Sequence, residues 1–461
     1  MLEKRTITTD AKKCTGQTIT VFGWVNARRD HGKIIFLDIR DRWGILQVVF
    51  IPNKEAYKVA SEIRDEFVVC VTGTVNRRPD NMVNDKIPTG SVELLAEEIQ
   101  VFSASETTPF SISDTEEVGE ESRLKYRYLD LRTSRMLSNL TKRLEVNNFI
   151  RNWLTSKSFI EVETPILTKS TPEGARDYIV PSRLQKGKFY ALPQAPQQYK
   201  QLLMVSGIEK YFQIARCFRD EDLRGDRQPE FTQLDIEMSF VDSDDIINLL
   251  EELMIEMLKS CYPNKKVKTP FEKLTWQESM KKHKSDKPDL RKNKDDKDEL
   301  AFAWIIDFPL FERDEENKLT SLHHPFTSFY KEDEKLLESN PVAVRSHAFD
   351  LVLNGTELGS GSIRIHDPKT QETIFKMLGI SDNEIQNRFG HLLRAFKYGV
   401  PPHGGMAWGL DRLLMILQGE ESVREVIAFP KTQEGKDLMM EAPTVIEEKQ
   451  LREAHIKIRE K

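Results

Sequence analysis

FRDEDLRGDRQPEFTQLDIEMSF, residues 218–240, carries the strongest structural signal in the chain. Apolar and polar residues alternate just before it, in 211–217, and in its second half, 231–240, which predicts two strands joined by a charged loop. If the strands pair antiparallel, Arg219, Phe231 and several carboxylates lie on one face. An arginine fork neutralises a phosphate, an aromatic ring stacks on a purine, and carboxylates hold an amino group or Mg2+. The pattern favours a nucleoside triphosphate site, although a charge-rich hairpin taken alone is more often a solvated surface.

Two further segments carry specific patterns. Residues 404–417, GGMAWGLDRLLMIL, predict a glycine-rich strand end that turns into an apolar helix, with Arg412 one turn inside. Residues 159–178, FIEVETPILTKSTPEGARDY, contain a central proline, Pro165, followed by a loop. Together with the charged segment they resemble motifs 3, 1 and 2 of class II aminoacyl-tRNA synthetases, and the charged segment is similar to that of the bacterial aspartyl-tRNA synthetase family. The resemblance extends from about residue 15 to about residue 455.

The N-terminal region has a strand-rich pattern. Five short apolar runs occur in 18–102, with a helix-like insert at 54–65 between the third and the fourth. This is typical of an OB-fold barrel; a small structural barrel is the alternative that the pattern leaves open. The resemblance implies an α+β protein, in which a five-stranded OB-fold β-barrel precedes a class II catalytic domain with an antiparallel β-sheet flanked by helices. We expect the anticodon-binding barrel at 1–105, a linker or hinge at 106–138, and the catalytic domain at 139–461. The Ser-, Thr- and Glu-rich residues 103–122 are expected to bury little.

Length and composition limit the possible classes of protein. The chain has 461 residues, a net charge of −6 and no apolar run long enough to span a membrane. Its start is polar and shows no secretory signal, so we expect a cytoplasmic protein without a membrane partner. The four cysteines are isolated, which favours free thiols over zinc ligands or disulfides. Because the net charge is negative, any RNA must bind through local basic surfaces.

Two segments of the C-terminal part bear on its architecture. Apolar residues at helical spacing predict a helix at 244–260 whose apolar stripe packs in the core. The Lys- and Asp-rich residues 281–300 predict a short, solvated and mobile loop. In bacterial enzymes of the resembled family, a whole extra domain joins segments similar to 285–291 and 304–312. Its loss here is expected to affect accessory tRNA contacts and to leave the chemistry intact.

The barrel carries a candidate RNA-binding surface. Basic side chains are interleaved with an aromatic ring, and single-stranded RNA needs charge for its backbone and rings for its bases. By resemblance, the anticodon-contacting residues are Arg29, His31, Phe36, Gln47 and Glu93. His31 stands where many relatives that discriminate between the two tRNAs have leucine, and an imidazole can donate to one base or accept from another. The alternative is an ordinary exposed turn residue, so the charging of tRNA(Asn), with a tRNA-dependent amidotransferase as downstream partner, stays open.

Activation of an amino acid requires its carboxylate to attack the α-phosphate of ATP. Two anions must be held together, so proximity and fixed positive charge supply the catalysis and no protein nucleophile is needed. We expect Arg219 at the α-phosphate and the substrate carboxylate, and Arg412 at the γ-phosphate, as the catalytic residues. The resemblance implies the following ATP contacts: Arg219, Asp220, Glu221, Gln228, Phe231, Glu357, Gly409, Leu410, Asp411 and Arg412.

Two carboxylates are candidates for binding Mg2+. Asp350 and Glu357 stand seven residues apart in DLVLNGTE. We expect them to face the same side of one twisted strand and to bind Mg2+ on the phosphates of ATP. For an acid pair considered alone, a solvated strand edge is the commoner explanation, and the surrounding motif favours the metal site.

The side chain of aspartate differs from that of asparagine by its charge, so a selective pocket needs cations. A neutral amide would leave two buried cations without a partner. The candidates for these cations are Lys200 and Arg364, and the α-ammonium group in turn requires carboxylates. By resemblance, the aspartate-binding residues are Glu173, Gln197, Lys200, Arg219, Gln233, Asp235, His323 and Arg364. The chain departs from its relatives at Ala195, where they usually have serine, which is expected to loosen one polar contact.

The alternatives share parts of this pattern. Asparaginyl- and lysyl-tRNA synthetases have the barrel and the three motifs, but neither an amide nor an ammonium side chain is stabilised by two cations. Ammonia-dependent asparagine synthetase has a similar catalytic core and lacks the barrel. A synthetase-derived RNA-binding protein would have lost motif arginines, and Arg219 and Arg412 are both present. The resemblance also implies a homodimer formed through motif 1, with tRNA(Asp), L-aspartate, ATP and Mg2+ as its ligands.

Overall fold

The computed structural model describes residues 5–52, 54–113, 115, 117–170 and 174–459. The chain divides into two compact units, Met1–Leu137 and Ser138–Lys461. Glu173, one of the predicted substrate residues, lies outside the described residues. Across the described ranges, no helix is both long and apolar enough to cross a bilayer.

A closed five-stranded barrel forms most of the first unit. Its strands are β1 (Thr18–His31), β2 (Ile34–Arg40), β3 (Ile45–Phe50), β4 (Val68–Arg77) and β5 (Val92–Ser103), in the order β1-β2-β3-β5-β4, with helix α1 (Glu55–Glu62) between β3 and β4 and 3-10 helices at Thr8–Cys14 and Asp80–Met82. Buried residues alternate with more accessible ones along β1, β2 and β4. The inward valines, leucines and isoleucines fill the barrel, and the alternate positions form its outer surface. The OB-fold prediction is confirmed.

The segment after the barrel is more ordered than a plain linker. It contains two short helices, α2 (Glu120–Lys125) and α3 (Arg127–Asp130). Phe110 and Ile112 are buried in a small cluster with Leu129, and Arg132 Nη1 donates to Glu66 at 2.7 Å. The expectation that residues 103–122 bury little is therefore wrong for Phe110 and Ile112, because isolated apolar side chains in a polar stretch give no periodic signal.

An eight-stranded sheet forms the centre of the second unit. The strands of this unit are β6 (Ile160–Glu161), β7 (Ile179–Pro181), β8 (Phe189–Ala191), β9 (Lys210–Phe218), β10 (Glu230–Ser239), β11 (Lys266–Val267), β12 (Glu272–Thr275), β13 (Glu299–Leu300), β14 (Phe302–Ile306), β15 (Phe311–Arg313), β16 (Leu319–Ser321), β17 (Ala348–Leu353), β18 (Thr356–Ile363) and β19 (His403–Gly409). The sheet order is β12-β14-β17-β18-β19-β10-β9-β6. The six central strands are antiparallel, as predicted, whereas β12 and β6 join the two edges in parallel.

Helices cover the sheet and connect many of its strands. They are α4 (Ser134–Ser156), α5 (Gln197–Val205), α6 (Ser243–Cys261), α7 (Trp276–His283), α8 (Leu336–Ser339), α9 (Pro368–Met377), α10 (Asp382–Phe396), α11 (Leu410–Gln418) and α12 (Glu448–Glu453), with 3-10 helices at Lys331–Asp333, Pro341–Ala343 and Val423–Glu425. The predicted helix at 244–260 is α6, which starts at a capping box formed by Asp242 and Asp245. Its apolar stripe packs against Leu234 and Ile236 of β10. Because side chains alternate along a strand, the residues between these two positions face the opposite side of the sheet.

Residues 281–300 differ in part from the predicted loop. The first residues complete α7, and the last two form β13, which pairs with β11. Lys265 and Lys266 form ion pairs with Asp298 and Asp296 at 2.9 and 2.8 Å. About half of the segment is exposed, in part as predicted, but its ends belong to regular structure because long-range pairing overrides the local charge pattern.

Candidate active site

A cavity of about 550 Å3 lies on the face of the sheet opposite α6. Most of the predicted substrate and ATP residues line it: Gln197, Lys200, Arg219, Glu221, Gln228, Phe231, Gln233, Asp235, His323, Glu357, Arg364, Gly409, Asp411 and Arg412. Three others do not. Asp220 pairs with Arg176 at 3.5 Å, Leu410 is fully buried in the core, and Asp350, predicted as a metal ligand, is buried in contact with His323. The three sequence motifs thus contribute to one site.

Three buried charges, Lys200, Asp235 and Arg364, lie at the floor of the cavity, and a fourth, Glu237, pairs with the two cations. Lys200 Nζ lies 2.6 Å from Asp235 Oδ1 and 3.2 Å from Glu237 Oε2, and the Arg364 guanidinium donates to both oxygens of Glu237 at 3.0 and 3.1 Å. All four side chains are at most 2 % exposed. The two predicted cations are therefore balanced by two carboxylates before any substrate binds. Alternation along β10 puts Glu237 on the same face as Asp235, and no sequence pattern indicated its role.

The two carboxylates differ in their proton affinity. Burial alone would raise the pKa of Glu237, but Arg364 and Lys200 outweigh it and lower this pKa to about 2. Burial raises the pKa of Asp235, and Lys200 offsets this only in part. Asp235 Oδ2 is buried without a hydrogen-bond partner. Asp235 is thus an acceptor available for a cationic group in the cavity.

Every N–H of Arg364 has an acceptor. Besides the two bonds to Glu237, its Nη1 donates to Ser362 Oγ and to His324 Nε2, both at 2.7 Å, and its Nη2 donates to the Gly405 carbonyl at 3.1 Å. Accepting from Arg364 requires His324 to be neutral at Nε2. Burial and Arg364 lower the pKa of His324 well below its usual value. Sequence patterns indicated the neighbouring His323 but not His324, whose role depends on this tertiary contact.

His323 faces a carboxylate and has a different charge balance. Its Nε2 donates to Asp350 Oδ1 at 3.0 Å, while its Nδ1 is buried without a partner. Burial lowers the pKa of His323, but Asp350 outweighs this effect and the net shift is upward. The contact with Asp350 therefore favours the protonated form of His323, whose ring lines the cavity.

The two predicted metal ligands lie on neighbouring strands. Asp350 is on β17 and Glu357 on β18, joined by a tight turn at Asn354 and Gly355. The expectation that they share one strand is wrong, since the chain reverses between them. Glu357 Oε2 pairs with Lys287 Nζ at 2.8 Å, a contact that the sequence analysis missed. No group of three His, Cys, Asp or Glu side chains in the described part of the chain forms a closed metal cage.

The remaining predicted ATP residues surround Arg219. Its guanidinium carbon lies 5.1 Å from the centre of the Phe231 ring, and its Nε is buried without a partner. Arg412 donates to the Glu357 carbonyl at 2.5 Å and to Asp226 at 3.1 Å. Glu221 pairs with Arg227 at 3.1 Å. Positive groups thus surround the cavity beside an aromatic ring, as a polyphosphate nucleotide requires.

Two of the predicted ATP residues also hold the framework together. Gln228 exchanges hydrogen bonds with the backbone of Lys431 at 2.7 and 3.1 Å. Asp411 accepts from the Thr232 backbone N–H at 2.7 Å and from Arg143 at 2.5 Å. Helix α4, β10 and α11 therefore meet at one carboxylate, which links the second and third motifs to the helix that precedes the first.

The predicted anticodon residues form a network on the barrel. Arg29 donates to Asp38 at 2.9 Å and to Gln47 at 3.3 Å, and Gln47 donates to Glu93 at 3.0 Å. The rings of His31 and Phe36 pack edge to face with their centres 5.6 Å apart. Arg78 and Asp38 extend the network and were not predicted. The barrel thus presents two aromatic rings, several charged groups and the side-chain amide of Gln47, which can donate and accept hydrogen bonds as a nucleotide base does.

Comparison with known families matches both units. Residues 119–433 match the family described as tRNA synthetases class II (D, K and N), and residues 19–102 match the OB-fold nucleic acid binding domain. Among solved structures, asparaginyl-tRNA synthetase from Pyrococcus horikoshii complexed with asparaginyl-adenylate has a TM-score of 0.73 at 23% identity, covering 91% of this chain and 96% of that one. A putative aspartyl-tRNA synthetase from Leishmania major Friedlin has a TM-score of 0.74 at 20% identity, covering 92% and 93%. These likenesses support the fold.

Curated relatives match nearly the whole chain. One from Caldanaerobacter subterraneus subsp. tengcongensis is 43% identical and one from Desulfatibacillum aliphaticivorans is 41% identical; each match covers 97% of this chain and 96% of the relative, and both are named aspartate–tRNA(Asp/Asn) ligase. The first alignment extends over 572 positions, more than the 461 residues of this chain, so that relative contains a long segment without a counterpart here. The chain belongs to the class II tRNA synthetases of the D, K and N family.

Proposed function

We propose that this enzyme is an aspartate–tRNA ligase that activates L-aspartate with ATP and transfers the aspartyl group to the 3′ end of tRNA(Asp). The observation that carries the proposal is the buried set of Lys200, Arg364, Asp235 and Glu237. The Lys200 ammonium has three N–H groups, and two carboxylate oxygens of the protein lie within reach of it. One N–H is therefore available to a substrate carboxylate. The free Oδ2 of Asp235 accepts from the α-ammonium of the same substrate.

Discrimination against other amino acids follows from the donors at this floor. The β-carboxylate of aspartate accepts a hydrogen bond from Lys200. It accepts a second from Arg364 Nη1 when the carboxylate takes the place of His324 as the acceptor there. An asparagine side chain would turn an NH2 group towards these donors, and a lysine side chain would add a third cation. The asparagine- and lysine-specific alternatives are therefore disfavoured by the chemistry of the pocket.

The reaction joins the α-carboxylate of aspartate to the α-phosphate of ATP. A carboxylate oxygen attacks phosphorus, the bond to the β-phosphate oxygen breaks, and pyrophosphate leaves. Arg219 neutralises the α-phosphate and the attacking carboxylate, Arg412 holds the γ-phosphate end, and Phe231 stacks on the adenine ring. No protein nucleophile is required, because the cavity brings the two reacting anions together.

Mg2+ fits the donors at the outer part of the cavity. Mg2+ is usually held by one or two carboxylates together with phosphate oxygens and water. Glu357 lines the cavity and supplies one such carboxylate, and Asp350 on the neighbouring strand would supply a second once its contact with His323 opens. Mg2+ bound there would neutralise charge on the leaving pyrophosphate. Lys287 pairs with Glu357 in this structure and must move aside when a metal ion binds that carboxylate.

Pyrophosphate exchange tests the assignment directly. Aspartate is expected to drive ATP–pyrophosphate exchange without tRNA, because all groups that bind the two substrates belong to one cavity. Asparagine and lysine at equal concentration are expected to drive it at least a hundredfold less well, which corresponds to about 3 kcal/mol. Exchange with either of them but not with aspartate would overturn the proposal.

The enzyme acts as an isologous homodimer. Large apolar side chains around motif 1 are exposed on two segments that meet at the Thr168–Ala191 bridge: Ile166, Leu167, Ile179, Leu184 and Phe189 are between 40% and 76% exposed. An exposed apolar patch of this kind indicates a surface that a partner covers. A second copy of the chain can cover it with the same patch, related by a two-fold axis. Sedimentation of the active enzyme is expected to give the mass of two chains; activity confined to a monomer at all concentrations would contradict this.

The enzyme also charges tRNA(Asn). The relatives named above carry both tRNAs in their names, and His31 lies exposed on the barrel beside Phe36, where it can adapt to either third anticodon base. His31→Leu is expected to lower kcat/KM for tRNA(Asn) about tenfold relative to that for tRNA(Asp), which corresponds to one lost hydrogen bond. Aspartyl-tRNA(Asn) formed in this way would need a tRNA-dependent amidotransferase as the downstream partner.

Lys33→Ala is the control for this comparison. Lys33 lies exposed in the same turn and offers a positive charge without recognition of a base. Its loss is therefore expected to weaken the binding of both tRNAs equally. Purified tRNA(Asp) and tRNA(Asn) are charged in separate assays with labelled aspartate. A wild type that rejects tRNA(Asn), or a ratio unchanged by His31→Leu, would remove the basis for the relaxed specificity.

A further inference from the structure

Three buried polar side chains connect the start of β19 with the aspartate pocket. His403 Nδ1 lies 2.9 Å from the carbonyl oxygen of Pro401, and His403 Nε2 lies 3.1 Å from Gln201 Nε2. Gln201 Oε1 in turn accepts from Gln197 Nε2 at 3.3 Å. His403 and Gln201 are fully buried, and Gln197, which is 5% exposed, lines the cavity. The chain of contacts therefore ends at the cavity.

For a neutral His403, the donors and acceptors along this chain have one consistent arrangement. A carbonyl oxygen only accepts, so His403 carries its proton on Nδ1; an amide NH2 only donates, so His403 Nε2 is an acceptor. Burial lowers the pKa of His403, although Glu237 opposes the shift, and the imidazole is neutral as this arrangement requires. Gln201 must then turn its oxygen towards Gln197, and Gln197 must turn its NH2 group towards Gln201.

We propose that His403 is a positioning residue for the α-ammonium group of the substrate, acting through Gln201 to present the Gln197 carbonyl oxygen to the cavity. The inference rests on the proposed function, since it takes aspartate as the ligand. Gln201 holds the NH2 group of Gln197, which leaves Gln197 Oε1 as an acceptor. Gln197 and Asp235, whose Oδ2 is also without a partner, line the same cavity. The reversed amide would direct two N–H groups at an ammonium and oppose binding.

Succinate separates this role from general damage to the pocket, because it has both carboxylates of aspartate and no ammonium group. His403→Phe keeps a ring and removes the acceptor. It is expected to raise the dissociation constant of L-aspartate about tenfold, as for one charge-assisted hydrogen bond. The inhibition constant of succinate in pyrophosphate exchange, the KM for ATP and kcat at saturating aspartate are expected to stay within about twofold.

Two further variants and a control complete the test. Gln201→Met breaks the same chain at its centre and is expected to give the same selective loss, so the test does not depend on the folding of one variant. His403→Gln restores an acceptor and is expected to recover most of the affinity for aspartate. Phe396→Leu changes the ring that packs against His403, with centres 6.1 Å apart, and is expected to leave the aspartate-to-succinate ratio unchanged.

The outcomes are distinct. Equal weakening of aspartate and succinate in His403→Phe and Gln201→Met, or normal aspartate affinity in both, would overturn the positioning role. A wild-type enzyme that binds succinate and aspartate with equal affinity would also overturn it, because the ammonium group would then contribute nothing. Failure of the wild type to bind aspartate at all would overturn the proposed function itself.

Discussion

Arg364→Leu is expected to reduce aspartate-dependent pyrophosphate exchange by about a hundredfold or more and to lower the free energy of unfolding by about 3–5 kcal/mol. The kinetic loss arises because Arg364 is one of only two cations on the pocket floor. The loss of stability has a separate cause. Glu237, fully buried and bound through both oxygens, is left facing Lys200 alone. Lys200→Met is expected to act in the same direction, with Asp235 as the carboxylate that loses its partner.

A double variant separates the two effects. Glu237→Gln combined with Arg364→Leu removes the unpaired buried charge, so thermal unfolding is expected to recover part of the lost stability while exchange stays low. Arg364→Lys keeps the positive charge but loses the bidentate contact with Glu237, so its exchange activity is expected to lie between those of the wild type and Arg364→Leu. Normal aspartate kinetics in Arg364→Leu would show that the side-chain pocket lies elsewhere.

The sequence predicts the frame of the site because local patterns determine it. Alternation in β10 places Gln233 and Asp235 on the face opposite Leu234 and Ile236, and the structure has this division. The strand and helix of the third motif, β19 and α11, also follow directly from a glycine-rich run that ends in an apolar helical pattern. Regular periodicity is enough for such elements.

The hairpin that carries the metal candidates shows a signal that was present and not used. Asn354 and Gly355 have φ values of 50° and 81°, and Asn-Gly between apolar residues is typical of a two-residue hairpin turn. The spacing of Asp350 and Glu357 was interpreted as one strand, although the turn between them was written in the sequence. The correct interpretation places the two carboxylates on paired strands rather than along one.

The charge pairing inside the cavity could not be predicted from local patterns. Lys287 reaches Glu357 from a segment about seventy residues earlier, and Arg364 reaches Glu237 across β19. Such contacts depend on which strands become neighbours in the sheet. The sequence therefore indicates the cations of the substrate pocket, whereas their buried partners follow only from the three-dimensional structure.

Arg219→Ala is expected to slow adenylate formation by about 10²–10³-fold, the loss typical of one preorganised donor aimed at charge that develops in the transition state. Strand β9 ends at Phe218, so Arg219 projects from the strand end into the cavity. Its guanidinium lies against Phe231, and its buried Nε has no partner in the protein. A donor held in place without an acceptor is suited to an anionic ligand, and here the two anions to be joined are the α-phosphate and the substrate carboxylate.

Arg216 provides a matched control on the same strand. Its side chain is 43% exposed and pairs with Glu230 at 2.6 Å, and an exposed pair of this kind contributes little to stability. Single-turnover adenylate formation at saturating ATP and aspartate is expected to change by less than about twofold in Arg216→Ala. Arg219→Lys keeps a charge without the planar fork and is expected to recover only part of the rate. Equal losses in the two alanine variants would mean that the general positive field of the strand matters rather than the placement of Arg219, and a normal rate in Arg219→Ala would remove it from the catalytic step.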